Sequence, residues 1–194
     1  MILDPAILSS FQRFFPLTIH LLGAGSSGIC RDYLSEMELP KISEAADLRY
    51  FAGFVRQRFL ENKNLTIVAQ WEWIQAWLTN TDFSFSSRSD EGCVEIHPSL
   101  QILRVPERNE TLQRDQGLYG FIFNEQQNKV IEVSLDLLQA QIIDLLSEDR
   151  KFRPEQLIAM AMESAPTSPV ATLEEWQKRY FSLEKSGILR MSSR

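Results

Sequence analysis

The amino-acid sequence predicts an α+β protein, in which an N-terminal helical bundle precedes a small antiparallel sheet and three helices. Apolar side chains recur at intervals of three and four through residues 5–78, the spacing of helices with one buried face. Tyr119, Phe121 and Phe123 follow the two-residue period of a strand instead. With 194 residues, of which 44% are hydrophobic and 24% charged, the chain has the composition of a globular protein that buries a core.

The first part of the chain, residues 1–82, is assigned as a helical domain. Asp4 and Pro5 form a good helix start, with Asp4 as the cap and Pro5 at the first helical position. Further helices are expected at 17–22, 29–37, 43–60 and 65–78.

Trp73 and Trp77 lie on the last of these helices, on a different face from Ile67, Trp71 and Ile74. A helix that is apolar on two sides is usually buried between neighbouring elements. The alternative is a patch that faces a partner protein, because tryptophan is enriched at interface hot spots.

A glycine-rich loop at 23–28 fits the dinucleotide-binding pattern, with Gly23, Gly25 and Gly28 at the required spacing. The surrounding sequence does not support this interpretation. A second parallel strand is needed within about 30 residues, and residues 43–60 show helical spacing. A connection between two helices is therefore the preferred interpretation.

Polar residues without periodicity follow the helical domain, and residues 83–96 are assigned as a linker. The second domain, at 97–194, is expected to open with a strand at 101–105, because Pro98 and Pro106 limit it.

A hairpin with strands at 118–123 and 129–133 comes next, followed by three helices in a winged-helix-like arrangement. Ser134 is expected to cap the first helix, and Arg153-Pro154 opens the second. Thr172 and Glu175 form a capping box for the third helix, which ends at Gly187. A short strand at 188–191 is expected to follow.

Composition argues against several classes of function. The net charge is −6, and neither half of the chain carries the basic excess that binds phosphate backbones. His20 and His97 are the only histidines and Cys30 and Cys93 the only cysteines, none at metal-ligand spacing. No nucleophile motif or phosphate-binding loop is present, so we expect no enzyme activity and no cofactor in this chain. Without a signal-peptide pattern or a long apolar run, the protein is expected to be soluble and cytoplasmic.

Three segments together resemble one known family. They are Gln70-Trp71-Glu72-Trp73, His97-Pro98-Ser99-Leu100-Gln101-Ile102-Leu103-Arg104, and the hairpin with its helices from Leu118 onward. They resemble the accessory proteins that partner multinuclear non-haem iron oxidative enzymes in making ribosomal peptide natural products. The short chain is most similar to members that act in methanobactin biosynthesis. The resemblance implies a C-terminal domain similar to a peptide-recognition element, with the iron held by the partner enzyme.

This resemblance implies a heterodimer with the iron-dependent oxidase, which converts precursor cysteines to oxazolone and thioamide groups that bind copper. The precursor's leader peptide is then expected to add as a strand along Lys129, Val130, Ile131, Glu132 and Val133. Side-chain contacts are expected from Trp176, Arg179, Tyr180 and Leu183, although three of these share a core-like stripe. Trp73 and Trp77 are expected to contact the oxidase.

A winged-helix DNA-binding regulator is the alternative function. Its recognition helix would lie at 173–186, where Lys178, Arg179 and Lys185 are balanced by Glu174, Glu175 and Glu184. A helix without net positive charge is a poor candidate for contact with phosphates.

Overall fold

The structure is a computed structural model that describes residues 5–39, 45–81, 83, 92–147, 151–164 and 171–192. The chain forms two compact units, one of Met1–Thr81 with Leu103–Gln116 and the other of Asp82–Ile102 with Gly117–Arg194. Helices dominate and the sheets are small and antiparallel, which confirms the α+β class. No helix in the described ranges is long and apolar enough to span a membrane.

The first unit is helical, as the spacing of its apolar residues predicts. Its helices are α1 (Pro5–Phe14), α2 (Pro16–Leu22), α3 (Ser26–Glu36), α4 (Phe51–Arg58) and α5 (Lys63–Asn80). Its core is rich in aromatic side chains, and Phe51 lies with its ring centroid 4.8 Å from that of Phe11 and 4.9 Å from that of Phe15. Tyr33 completes this cluster at 5.2 Å from Phe51.

The helix expected at 43–60 is shorter in the structure. A 3-10 turn occupies Ala45–Leu48, and α4 begins only at Phe51. The hydroxyl of Tyr33 donates to the backbone carbonyl of Asp47 at 2.7 Å, which fixes this turn against α3. Both Leu48 and Phe51 then reach the core, so tertiary packing overrides the helical period here.

The glycine-rich loop lies between two helices. Residues 17–22 belong to α2, Gly23–Gly25 forms a 3-10 turn, and α3 begins at Ser26. Gly23 has a φ of +55°, a conformation that a residue with a Cβ rarely adopts. Because a helix precedes the loop where a dinucleotide fold requires a strand, the loop is a helix–helix connection.

The second unit contains the hairpin and the three helices that follow it. Its strands are β1 (Val94–Ile96), β3 (Gly117–Asn124), β4 (Lys129–Leu135) and β5 (Leu189–Met191), while β2 (Gln101–Val105) extends into the first unit. The helices are α6 (Leu137–Leu146), α7 (Pro154–Ser164) and α8 (Leu173–Ser186). β1 pairs with β5, and the remaining strands form a sheet in the order β2-β3-β4.

The core of the second unit lies between the hairpin and its helices. Ile122 and Leu135 come from the strands, and they belong to one cluster with Ile142, Leu157 and Trp176 from α6, α7 and α8. A Cβ added to Gly120 would lie 3.3 Å from the Cδ1 atoms of both Ile188 and Leu135, so these side chains would have to shift to admit a larger residue. The hairpin and its helices therefore form one packed body.

Most of the residues that begin or end the helices of this unit were predicted correctly. Thr172 and Glu175 form the capping box of α8, and Gly187 ends that helix with a φ of +82°. The cap of α6 is Asp136 rather than Ser134, because β4 continues through Leu135 before the helix begins. The Asp136 side chain accepts from the backbone N–H of Gln139 at 2.9 Å.

The segment Leu103–Gln116, which we placed in the second domain, belongs to the first unit. Asn64 Nδ2 donates to Thr111 Oγ1 at 3.1 Å, and the guanidinium of Arg114 lies 5.4 Å from the centre of the Trp71 ring. These contacts join residues more than 40 positions apart, which local patterns do not reveal. Strand β1 lies inside the range expected to be a linker, 83–96, and Asp4 and residues 84–91 lie outside the described residues.

Candidate functional site

The edge of the three-stranded sheet is the first candidate site. β4 is an outer strand in the order β2-β3-β4, so within the described part of the chain it pairs with β3 alone. Ile131 and Val133 are partly buried against the core of the second unit, whereas Lys129 and Glu132 have exposed side chains. An outer strand presents backbone donors and acceptors to an incoming extended chain.

The segment His97-Pro98-Ser99 holds the opposite side of β3. Ser99 is fully buried, and its Oγ accepts a hydrogen bond from the backbone N–H of Phe123 at 2.8 Å. The same oxygen lies 2.8 Å from His97 Nδ1, which also accepts from the Ser99 N–H at 3.2 Å. Since Ser99 Oγ accepts from Phe123, its own hydroxyl proton donates to His97 Nδ1. The sequence indicated that this segment is important but did not predict that Ser99 anchors β3 through the Phe123 N–H.

The electrostatic surroundings of His97 keep its imidazole neutral. Burial lowers the pKa of His97, and the positive charge of Arg190 lowers this pKa further. A neutral ring is required here because Nδ1 accepts hydrogen bonds. The Ser99 hydroxyl is buried and engaged at both ends, so this pair is not arranged as a nucleophile with its base.

Three of the expected leader-binding side chains on α8 lie in the core. Trp176, Tyr180 and Leu183 are exposed by 1%, 2% and 0%, respectively. Their side chains therefore support the sheet from below and are not available as direct contacts. Arg179 is the remaining member of the set; its side chain is 35% exposed and forms an ion pair with Asp136 at the end of β4.

Next to Arg179, α8 contacts α6 through polar groups. Gln139 Nε2 donates to Ser182 Oγ at 3.3 Å, and the side chain of Ser182 is exposed. At the other end of α8, a Cβ on Gly187 would lie 3.3 Å from Ile122 Cδ1. The segment from Arg179 to Gly187 therefore leads from Asp136, directly after β4, to Ile122 of β3.

Trp73 and Trp77 form an aromatic pair on α5, with ring centroids 5.6 Å apart. Both side chains are half-buried, and Trp73 packs partly against the core of the first unit. Each therefore combines packing within the unit with a surface that a partner protein can contact.

Glu72, between Trp71 and Trp73, is a buried carboxylate that sequence reasoning did not single out. Its oxygens accept from the backbone N–H groups of Leu17 at 2.6 Å and Thr18 at 2.8 Å, and from Thr18 Oγ1 at 2.6 Å. These amides belong to the first turn of α2, where Phe15 supplies no side-chain cap. In the sequence, the only sign of this role was the position of an acidic residue among apolar residues on a predicted helix.

A pocket of about 340 Å³ lies beside Glu72 in the first unit. Its walls come from α1, from Pro16 at the start of α2, and from α5, and they include Arg13, Phe14 and Gln75. Burial raises the pKa of Glu72, although the hydrogen bonds from Thr18 and Leu17 partly oppose this effect. Since the carboxylate already caps α2, it serves the fold instead of facing a ligand.

Reactive groups are sparse in the described ranges. No cluster of three or more His, Cys, Asp or Glu side chains there has the geometry to hold a metal ion. Cys30 and Cys93 are both buried and free, and burial raises the pKa of Cys30 to about 12, which disfavours a reactive thiolate. The outer edge of β4 therefore remains the first candidate site in the described part of the chain.

The chain matches no family model, and the search of curated proteins gave no match.

Proposed function

We propose that this chain is a non-catalytic accessory subunit that recruits the leader of a precursor peptide to an iron-dependent peptide-modifying oxidase. The observation that carries the proposal is the outer strand β4, which is supported on one side by β3 and by the cluster beneath the hairpin. Binding by strand addition requires such an edge on a rigid support.

The mechanism of recruitment follows from the backbone of β4. An extended leader pairs with Lys129–Val133, and main-chain hydrogen bonds supply affinity with little demand on sequence. Side chains next to the edge supply selectivity, and Arg179 is the accessible residue on α8. Trp176, Tyr180 and Leu183 hold α8 in place, so their contribution to binding is indirect.

The partner subunit supplies the iron and carries out the oxidation. We assign the half-buried pair Trp73 and Trp77 to the interface with this partner, because partly exposed tryptophans bury large apolar areas when two proteins associate. In the methanobactin-type reaction, the complex converts precursor cysteines to oxazolone and thioamide groups. Support for this reaction comes from the resemblance of the motifs at 70–73 and 97–104.

Co-expression with an iron oxidase of methanobactin biosynthesis tests the proposal. We expect one complex on size-exclusion chromatography, and we expect this complex to bind a short cysteine-bearing precursor peptide more tightly than the oxidase alone does. The double variant Trp73→Ala and Trp77→Ala should weaken the complex, with Leu60→Ala as an exposed apolar control.

If the chain elutes alone and ignores the peptide, the proposed function is wrong. Salt-dependent binding to duplex DNA would then favour the alternative, a winged-helix regulator.

A further inference from the structure

The orientation of the peptide groups in β4 follows from one hydrogen bond on β3. Phe123 donates its N–H to Ser99 Oγ, away from β4, and Phe123 is paired with Val130 in the hairpin register. In an antiparallel pair, residues opposite each other alternate between pairs that exchange hydrogen bonds and pairs that do not. Phe123 and Val130 therefore form a pair of the second kind, so the N–H and C=O of Val130 also point away from β3.

The same alternation fixes the rest of the strand. Ile131 and Val133 exchange hydrogen bonds with Ile122 and Gly120, while Ser134 points its peptide groups outward like Val130. Glu132 lies between Val130 and Ser134, and its N–H and C=O also point outward. The closing pair of the hairpin, Asn124 with Lys129, is then a hydrogen-bonded pair, as expected for a four-residue turn.

Side chains along β4 divide between the two faces of the sheet. Ile131 and Val133 point toward the helices, where they pack partly against the core. Val130 and Ser134 belong to the opposite face. A strand added to β4 continues this pleat, so every second residue of the added strand lies beside Ile131 or Val133 on the helix side.

We propose that the outward peptide groups of Val130, Glu132 and Ser134 pair with the bound peptide, and that Ile131 and Val133 fix its register. The peptide is an extended segment with apolar side chains at alternate positions. This inference rests on the proposed function and specifies its ligand. The apolar residues of the peptide lie on the helix side, next to Ile131 and Val133. Proline is excluded at the peptide positions whose N–H groups meet β4, because proline has no donor.

Proline substitution in β4 tests the assignment, because it removes a single N–H. Ser134→Pro deletes an outward donor without removing a hydrogen bond to β3, and edge strands tolerate proline at such positions. We expect about tenfold weaker binding of the short cysteine-bearing precursor peptide, measured by fluorescence anisotropy with the intact complex. Ser134→Ala keeps the N–H and is the matched control, so its affinity should equal that of the wild type.

The outcomes distinguish a failure of the proposed pairing along β4 from a failure of the proposed function. If the wild type binds the peptide and folded Ser134→Pro binds it equally well, the proposed pairing with Ser134 is wrong while the proposed function stands. If the wild type does not bind the peptide, the proposed function and the register fail together. Val130→Pro is a second variant at an outward position and should give the same loss as Ser134→Pro.

Methylation of peptide nitrogens provides a test that leaves the protein unchanged. A series of peptides, each carrying one N-methyl group, should lose affinity at every second position along the bound segment, because only alternate N–H groups face β4. Equal tolerance at every position would overturn the assignment of an added strand in this register.

Discussion

Ser99 Oγ accepts a hydrogen bond from the backbone N–H of Phe123 at 2.8 Å, and this contact joins the turn before β2 to β3. The contact shows which peptide groups of the hairpin face inward and which face the open edge at β4. It also gives a physical role to the segment His97-Pro98-Ser99, in which Ser99 is fully buried. The hairpin is thus held by Ser99 on the β3 side, and its candidate binding edge lies on the β4 side.

Removing the hydrogen bond between Ser99 and Phe123 should destabilise the protein. Ser99→Ala leaves the Phe123 N–H without its acceptor in a buried environment, which costs about 1–3 kcal/mol of the free energy of unfolding. Urea denaturation followed by circular dichroism measures this change. Ser134→Ala, at an exposed position, should change the free energy by less than about 0.5 kcal/mol. Equal stability of Ser99→Ala and the wild type would contradict the assigned role.

Protonation of His97 should lower stability below neutral pH. Burial and Arg190 lower the pKa of His97 below its ordinary value of 6.5, so the unfolded chain binds the proton more readily. The contribution of neutral His97 is present above pH 6.5 and is lost as the pH falls through the pKa of the folded state. Melting temperatures between pH 7.5 and 5 should fall less in His97→Asn, whose amide does not titrate. A parallel fall in both proteins would exclude His97 as the cause.

Glu72 should contribute to stability through the cap that it provides for α2. Glu72→Ala removes the acceptor of the Leu17 and Thr18 N–H groups, and we expect a loss of about 1–3 kcal/mol. Exposed Glu61→Ala is a suitable control, with an expected change of less than about 0.5 kcal/mol. Chemical denaturation at pH 7 measures both variants. An equally small effect at both positions would show that the cap is dispensable.

The pH dependence at Glu72 should have the opposite direction from that at His97. Burial raises the pKa of Glu72 above its ordinary value of 4.5, so the unfolded chain ionises this group more readily than the folded protein does. The free energy of unfolding therefore falls as the pH rises from 4.5 through the raised pKa of the folded state, although the hydrogen bonds of the cap remain. Comparison with Glu72→Gln over this pH range should isolate this fall, since the amide cannot ionise. Identical pH profiles for the wild type and Glu72→Gln would contradict the raised pKa.

Substitutions on α8 should separate folding from peptide binding. Trp176→Ala removes a side chain that is 1% exposed, and we expect a loss of about 3–5 kcal/mol in the free energy of unfolding. Arg179→Ala removes a partly exposed ion pair with Asp136, which contributes at most about 1 kcal/mol to stability. Under the proposed function, Arg179→Ala lowers peptide affinity while the protein stays folded. Unchanged affinity would remove Arg179 from the site.

Features set by neighbouring residues were predictable from the sequence. The capping box of Thr172 and Glu175, the left-handed Gly187 and the alternating strand at 118–123 all depend on residues a few positions apart. The sequence also indicated β4 as a strand, and its residues now form the outer strand of the sheet. These elements account for the correct prediction of the α+β class.

Features set by distant contacts were not predictable. The bond between Glu72 and Thr18 spans 54 residues, and the bond between Ser99 and Phe123 spans 24. The helix expected at 43–60 was too long because the contact between Tyr33 and Asp47 fixes a 3-10 turn there. Periodicity also could not distinguish a binding surface from a core on α8, where Trp176, Tyr180 and Leu183 are buried.

Amide hydrogen exchange of β4, with and without the precursor peptide, tests the central claim most directly. The Val130 and Ser134 amides point outward, so they should exchange faster than those of Ile131 and Val133 in the free protein. Addition of the peptide should slow exchange at Val130 and Ser134 by about tenfold or more, with little change at Ile131 and Val133. Protection confined to other surfaces, with exchange at Val130 and Ser134 unchanged, would contradict recruitment by strand addition at β4.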